Sequence, residues 1–204
     1  MAAFKKTHGN TVVADVKVEQ ILTGMRDIPS IYYEGSKLDA FKGITFRGYD
    51  IPTCGKLSIK AQGGDEPLPE VMFYLLLTGK FPNQQQFDSL SQELKEHSKL
   101  STEEVNFLNA LPRDMHPMTM LSTATLYLQR RSKFATEYSK GMKKTDYWSV
   151  FYDDAIDLLG KLPELAAIIY RNKYKGGKLI PADLKLDWAG NYAHMLGYES
   201  NGMK

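Results

Sequence analysis

Apolar positions recur with a helical period along most of the chain from Pro67 onward. Val71, Phe73, Leu75, Leu76 and Leu77 form a dense apolar segment that Thr78-Gly79 and Pro82 end. Asn83 stands where a helix cap belongs, with Gln86 in the capping-box position, and Phe87, Leu90 and Leu94 follow on one face. Ser101 and Glu104 repeat that signature ahead of Val105, Leu108 and Leu111, and Pro112 closes the segment. His116-Pro117 opens a further helix, Met118 to about Arg131. The longest periodic run, Tyr147 to Lys175, carries Val150, Phe151, Ile156, Leu158, Leu159, Leu162, Leu165, Ile168 and Ile169. Pro163 lies inside it and predicts a kink, because proline lacks the donor that the helix needs. Gly176-Gly177 ends the run, and Leu186 to Leu196 predicts a last helix before Gly197.

The first sixty residues have a different pattern. Thr11 to Val18 is β-branched and partly alternating, and Ile31 to Tyr33 and Gly43 to Arg47 are short β-prone runs. Gly35 to Lys42 between the last two suits a hairpin or meander. Pro52 predicts the first turn of a helix through Cys54 to Ala61.

Composition narrows the classes. The chain has 204 residues, 43% hydrophobic and 25% charged, with a net charge of +2. That balance argues against nucleic acid, since basic residues cluster only at Arg130-Arg131, Lys143-Lys144 and Lys173 to Lys178. One cysteine, Cys54, excludes a disulfide framework and a thiolate metal site, and fits a reducing compartment. No apolar run approaches the ~20 residues that span a bilayer, so no membrane partner is expected. Met1 to Asn10 has neither the apolar core of a secretory signal nor the arginines of a transit peptide.

A set of motifs then occurs in one order. Gly43-Ile44-Thr45-Phe46-Arg47-Gly48-Tyr49-Asp50-Ile51 resembles the "RGY-x-I" segment of citrate synthases. Gly63 to Glu70, Leu76-Leu77-Thr78-Gly79-Lys80-Phe81-Pro82 and His116-Pro117-Met118 resemble the same family, mitochondrial type. So do Tyr147-Trp148, Lys161-Leu162-Pro163, Ile169-Tyr170-Arg171-Asn172, Leu186-Asp187-Trp188 and Met195-Leu196-Gly197-Tyr198. The match runs from about Gly9 to Tyr198. It implies a mainly α fold: residues 1–204 are the N-terminal portion of the multi-helical large domain, with a small N-terminal β-hairpin or meander, and the C-terminal small domain is absent. It implies an acyltransferase that joins acetyl-CoA to oxaloacetate, giving citrate and CoA, without metal or cofactor. It also implies a homodimer built through helices at about 118–131 and 147–175, in the mitochondrial matrix.

The resemblance places the reacting groups (a carboxylate base, two histidines and the oxaloacetate arginines) beyond Tyr198. The family's "HSDHEGGN", "GPLHG" and "GYGH" segments do not occur in this sequence, so no catalytic residue carries over and the chain alone is expected to be inactive. Two ligand contacts carry over: Arg26, in Thr23-Gly24-Met25-Arg26, and Lys144, at a position where the family often has arginine, both toward the CoA phosphates. Lysine keeps the charge there and loses the bidentate fork.

The remaining candidates have plainer readings. His116 reads as a helix-start residue, His97 as solvated on a charged helix, His8 as part of an N-terminal arm, and His194 as lying near the family's cleft. No pair has metal-ligand spacing. Asp153, Asp154 and Asp157 read as a solvated helix face. A second reading of the whole chain is a non-catalytic structural or assembly subunit derived from citrate synthase, docking through its interface helices. A third is a bare fragment.

Overall fold

The computed structural model describes residues 2–25, 28, 35–39, 41–61 and 63–198. An N-terminal arm holds two short helices, α1 (Ala2–His8) and α2 (Val18–Leu22). Three strands follow, β1 (Ser36–Asp39), β2 (Gly43–Phe46) and β3 (Tyr49–Asp50), paired antiparallel in the order β1-β2-β3. The rest is helical: α3 (Ile51–Leu57), α4 (Pro69–Thr78), α5 (Gln84–Glu96), α6 (Thr102–Ala110), α7 (Pro117–Leu128), α8 (Lys133–Ser139), α9 (Tyr147–Tyr174) and α10 (Trp188–Leu196). The mainly helical architecture with a small meander is the one expected.

The meander is tight for local reasons. The Asp39 carboxylate accepts from the backbone N–H groups of Phe41 and Lys42 at 2.9 and 3.0 Å, and Gly43 takes φ 80° where β2 begins. Asp50 then caps α3 by accepting from the Thr53 N–H at 2.8 Å, with Pro52 in the first turn. Arg47 turns out of β2 at φ 53° and sends its guanidinium to the end of α4. It donates to the Leu76 carbonyl at 2.8 and 2.5 Å and to that of Leu77 at 3.3 Å. These are carbonyls that a helix end leaves without intrahelical donors, and a cation is favoured beside them.

Three expectations are corrected. Thr11 to Val18 is not a strand: residues 11–17 are irregular and α2 begins at Val18. β-Branched composition favours a strand only where a pleated, half-buried surface is there to receive it, and Val12 and Val13 are 81% and 75% exposed. The helix expected to reach Ala61 stops at Leu57, where Ser58 takes an extended conformation. The solvated reading of Asp153, Asp154 and Asp157 is corrected at Asp154. Asp154 accepts from the Ser132 hydroxyl at 2.5 Å and the Lys133 and Phe134 N–H groups at 2.8 and 3.1 Å, Asp153 pairs with Lys133, and Asp157 pairs with Lys161. The expected strand at Ile31 to Tyr33 lies outside the described residues.

The 28-residue α9 is the axis of the packing. Its Leu165, Ile168 and Ile169 meet Leu108 of α6, Met120 and Ala124 of α7 and Leu100 in one cluster. Its Ile156 meets Leu90 and Leu94 of α5 in a second, with Phe73, Tyr152 and Trp188 around them. A third joins Leu68, Val71 and Phe87. Gly160 sets how closely α9 approaches α5. A Cβ there would stand 2.8 Å from the Leu94 carbonyl oxygen and 2.9 Å from that of His97. Only a residue without a side chain permits that approach.

Pro163 sits within α9, and the helix runs unbroken through it. Proline cannot donate to the carbonyl four residues back, that of Leu159. The indole Nε1–H of Trp188 donates to that carbonyl at 2.9 Å. The residue that opens α10 thus replaces the donor α9 lacks, and docks α10 on α9.

Candidate functional site

The two ligand contacts expected from sequence fare differently. Arg26 lies outside the described residues. Lys144 begins a 3-10 turn, Lys144–Asp146, that leads directly into α9, and its side chain is exposed. Its ammonium has no hydrogen bond or ion pair among the described residues, so it is free to meet an anion.

The histidines do not assemble. The His116 Nδ1 accepts from the Met118 N–H at 3.2 Å and caps α7, the helix-start role expected of it. His97, expected to be solvated on a charged helix, is half-buried. It ends α5 and its Nδ1 lies 3.3 Å from Asp157, because Gly160 brings the two helices together. His8 stacks on Phe4 at 4.7 Å. His194 is half-buried on α10. No group of three or more His, Cys, Asp or Glu side chains with metal-site geometry occurs among the described residues.

What the residues do build is a seat for α10. Asp187 caps its start by accepting from the Gly190 N–H at 2.8 Å, and Glu70 of α4 accepts from the Trp188 backbone N–H at 3.3 Å. At its far end the Arg171 guanidinium donates to the Leu196 carbonyl at 3.0 Å, and also to that of Lys178. Gly197 takes φ 100°, and a Cβ there would meet the Arg171 guanidinium at 2.8 Å. The Tyr170 and Tyr198 hydroxyls lie 3.4 Å apart beside this end. His194 is therefore carried on a helix fixed at both ends.

Two buried glutamates, Glu70 and Glu104, and the half-buried Glu164 belong to this framework, and sequence reading gave Glu70 and Glu164 no role. Glu70 is 3% exposed, its Oε2 has no partner, and burial pushes its carboxyl above the usual glutamate range. Glu164 accepts from the Leu100 N–H at 2.8 Å and is pushed up by burial in the same way. Glu70 and Glu164 both line a cavity of about 20 Å³ under α10, with Gly160, Pro163 and Trp188. Glu104 accepts from the Ser101 N–H at 2.6 Å and lies 3.6 Å from the buried Lys161 and 3.7 Å from Arg131. Burying such charges is costly unless they are paired, and Lys161 also reaches Asp157 at 2.8 Å. The sequence signal for Glu70 was its place one residue after Pro69 in the first turn of α4, where a carboxylate suits the helix N-terminus.

Cys54 is buried with its Sγ 4.0 Å from the Tyr49 carbonyl, and burial pushes the thiol up, away from thiolate chemistry. Tyr152 donates to Glu93 at 2.9 Å and its hydroxyl is pushed up to about 12, by burial first and that carboxylate second.

A helical framework, a meander tied to it by Arg47 and a clamped last helix define a multi-helical scaffold. Residues 24–203 match the family model "Citrate synthase, C-terminal domain". The chain belongs to the citrate synthase family. It is 47% identical over 207 residues to mitochondrial citrate synthase of Tetrahymena thermophila, covering 98% of this chain and 45% of the relative. It is 46% identical to the mitochondrial enzyme of Saccharomyces cerevisiae, over 97% of this chain and 41% of that one. The peroxisomal enzyme of the same yeast is 47% identical, over 95% and 42%. The fold resembles citrate synthase from Pyrobaculum aerophilum, with a TM-score of 0.71 at 23% identity, over 86% of this chain and 42% of that one. The chain thus spans less than half the length of the relatives it matches.

Proposed function

We propose that this chain works as part of a citrate synthase, joining acetyl-CoA to oxaloacetate to give citrate and CoA. The observation that carries this reading is the 47% identity to a mitochondrial citrate synthase across 98% of the chain. On this reading residues 1–204 supply framework. The sequence contains none of the family's "HSDHEGGN", "GPLHG" or "GYGH" segments, so by itself it makes no citrate. The reaction is acid–base work by paired groups and needs neither metal nor cofactor. Arg26 and Lys144 meet the CoA phosphates, and the free ammonium of Lys144 supports its part in that. A homodimer forms through helices at about 118–131 and 147–175. The exposed Met118 and Leu126 on the first and Trp148 and Phe151 on the second support this. Two mitochondrial relatives support the matrix as the location, and the peroxisomal relative names the other compartment to test.

A structural subunit that docks on a full-length synthase is the second reading, favoured by the many residues given to packing and the lack of any assembled histidine pair. The test is thiol release by the full-length protein that carries this chain. Release that needs both substrates is expected, and Lys144→Ala raises the KM for acetyl-CoA by about three- to tenfold, as loss of one charge-assisted contact should, with oxaloacetate unaffected. A full-length protein that releases no thiol overturns the enzyme reading and leaves the structural one.

A further inference from the structure

Glu70 uses one carboxyl oxygen and leaves the other unengaged. Oε1 accepts from the Trp188 N–H at 3.3 Å. Oε2, on a residue only 3% exposed, meets no protein partner among the described residues. Such an atom is destabilising, and native proteins satisfy nearly all buried polar groups with protein or with ordered water. The cavity of about 20 Å³ that Glu70 lines under α10 gathers other polar groups in the same condition. Asn191 of α10 is 8% exposed, and its Oδ1 accepts from the Asp183 N–H at 3.0 Å. Its amide nitrogen has no hydrogen-bond partner among the described residues. The same holds for the Ser91 hydroxyl and the Lys95 ammonium of α5, both on residues that line this cavity.

We propose that this cavity is a binding site for one water molecule, which joins Glu70 Oε2 on α4 to the Asn191 amide on α10 and the Ser91 hydroxyl on α5. Size, charge and hydrogen-bonding capacity each select that occupant. A water needs about 10–15 Å³ of cavity and two to four polar partners. A site for a small organic molecule is larger by an order of magnitude, at about 300 Å³ or more. A bare cation would be opposed by the charge of Lys95, and a bare anion would meet Glu70, Glu164 and Asp187, which line the cavity as well. Water is neutral, and it both accepts and donates. Burial pushes the Glu70 carboxyl toward its protonated form, so Oε2 carries a hydrogen to give. The water accepts from Glu70 and from the Asn191 amide, and donates to the Ser91 oxygen. It then ties three helices together at the point where the seat of α10 has no direct side-chain bond between them.

Two measurements on the 204-residue chain test this. A crystal structure at a resolution that orders solvent should show one water at about 2.7–3.2 Å from both Glu70 Oε2 and the Asn191 amide nitrogen. Oxygen-17 relaxation dispersion then counts long-lived waters in solution. Wild type and Glu70→Gln, which keeps a polar end, should each hold one more than Glu70→Met, which has similar bulk and no hydrogen bond to offer. Urea midpoints in potassium chloride and in choline chloride of equal ionic strength should coincide. A cavity without that water in the crystal, or Oε2 turned onto a protein group, overturns the proposal. An equal count of long-lived waters in wild type and a folded Glu70→Met overturns it too. A midpoint that rises in potassium shows a cation in the cavity and overturns the water. The crystal structure needs no variant, so it decides the matter even where Glu70→Met fails to fold.

Discussion

Trp188 and Pro163 are twenty-five positions apart and act as one unit. The indole N–H meets the Leu159 carbonyl that Pro163 leaves without a donor. Trp188→Phe keeps an aromatic ring and removes the donor, leaving a part-buried acceptor unpaired at a cost of about 1–3 kcal/mol. In a Pro163→Ala background the helix donates to Leu159 itself, so the same change should cost clearly less. Urea denaturation of the four proteins gives the coupling, and additive effects would contradict the account. Glu70 makes a different residue-scale prediction. Burial keeps its carboxyl protonated to higher pH in the folded than in the unfolded chain. The native state then binds more protons, so stability falls as pH rises through the raised native value. The contribution is complete below the unfolded glutamate range and lost above that native value. Glu70→Gln cannot ionise, so its stability between mildly acid and neutral pH should fall less steeply than wild type. Glu164, pushed up by the same cause, adds to the slope in the same direction. Equal slopes for wild type and variant would show that Glu70 does not titrate in this range.

At the scale of elements, local signals were legible and distant ones were not. Asn83 with Gln86 and Ser101 with Glu104 form the capping boxes that their spacing implies, because every partner lies within three residues. α8 escaped notice because Asp154, more than twenty residues further on, helps Ser132 to satisfy its first N–H groups. The valines of the arm misled for a related reason: no sheet edge among the described residues receives them. Gly160 is the element-scale test. Gly160→Ala puts a methyl against the rigid carbonyls of Leu94 and His97, so α9 must move off α5. A loss of about 1–3 kcal/mol is expected, although alanine is the better helix former. Chemical denaturation measures it, and a stabilised variant would mean that the helices do not pack this closely.

Across the whole molecule, the motifs that carry the family resemblance are structural devices. Arg47 closes the end of α4, Gly79 gives that helix its left-handed cap, and His116 caps α7. Lys161 holds the ion network, Asn172 donates to Asn109 at 2.8 Å, Arg171 clamps the end of α10 and Trp188 its start. The family was therefore legible in the sequence from its framework residues. The candidate site was legible only in part. Lys144 is exposed and has no partner among the described residues, but a lone lysine does not declare its ligand. Glu70 and Glu164 were hidden because their burial depends on α10 folding back across more than a hundred residues of chain, in the case of Glu70. The central claim is that these 204 residues are citrate synthase framework without its reacting groups. The most direct measurement is thiol release from acetyl-CoA plus oxaloacetate by the purified 204-residue chain, with its native mass determined on the same sample. The account predicts a folded, self-associating chain that releases no thiol. Oxaloacetate-dependent thiol release by that chain would contradict it.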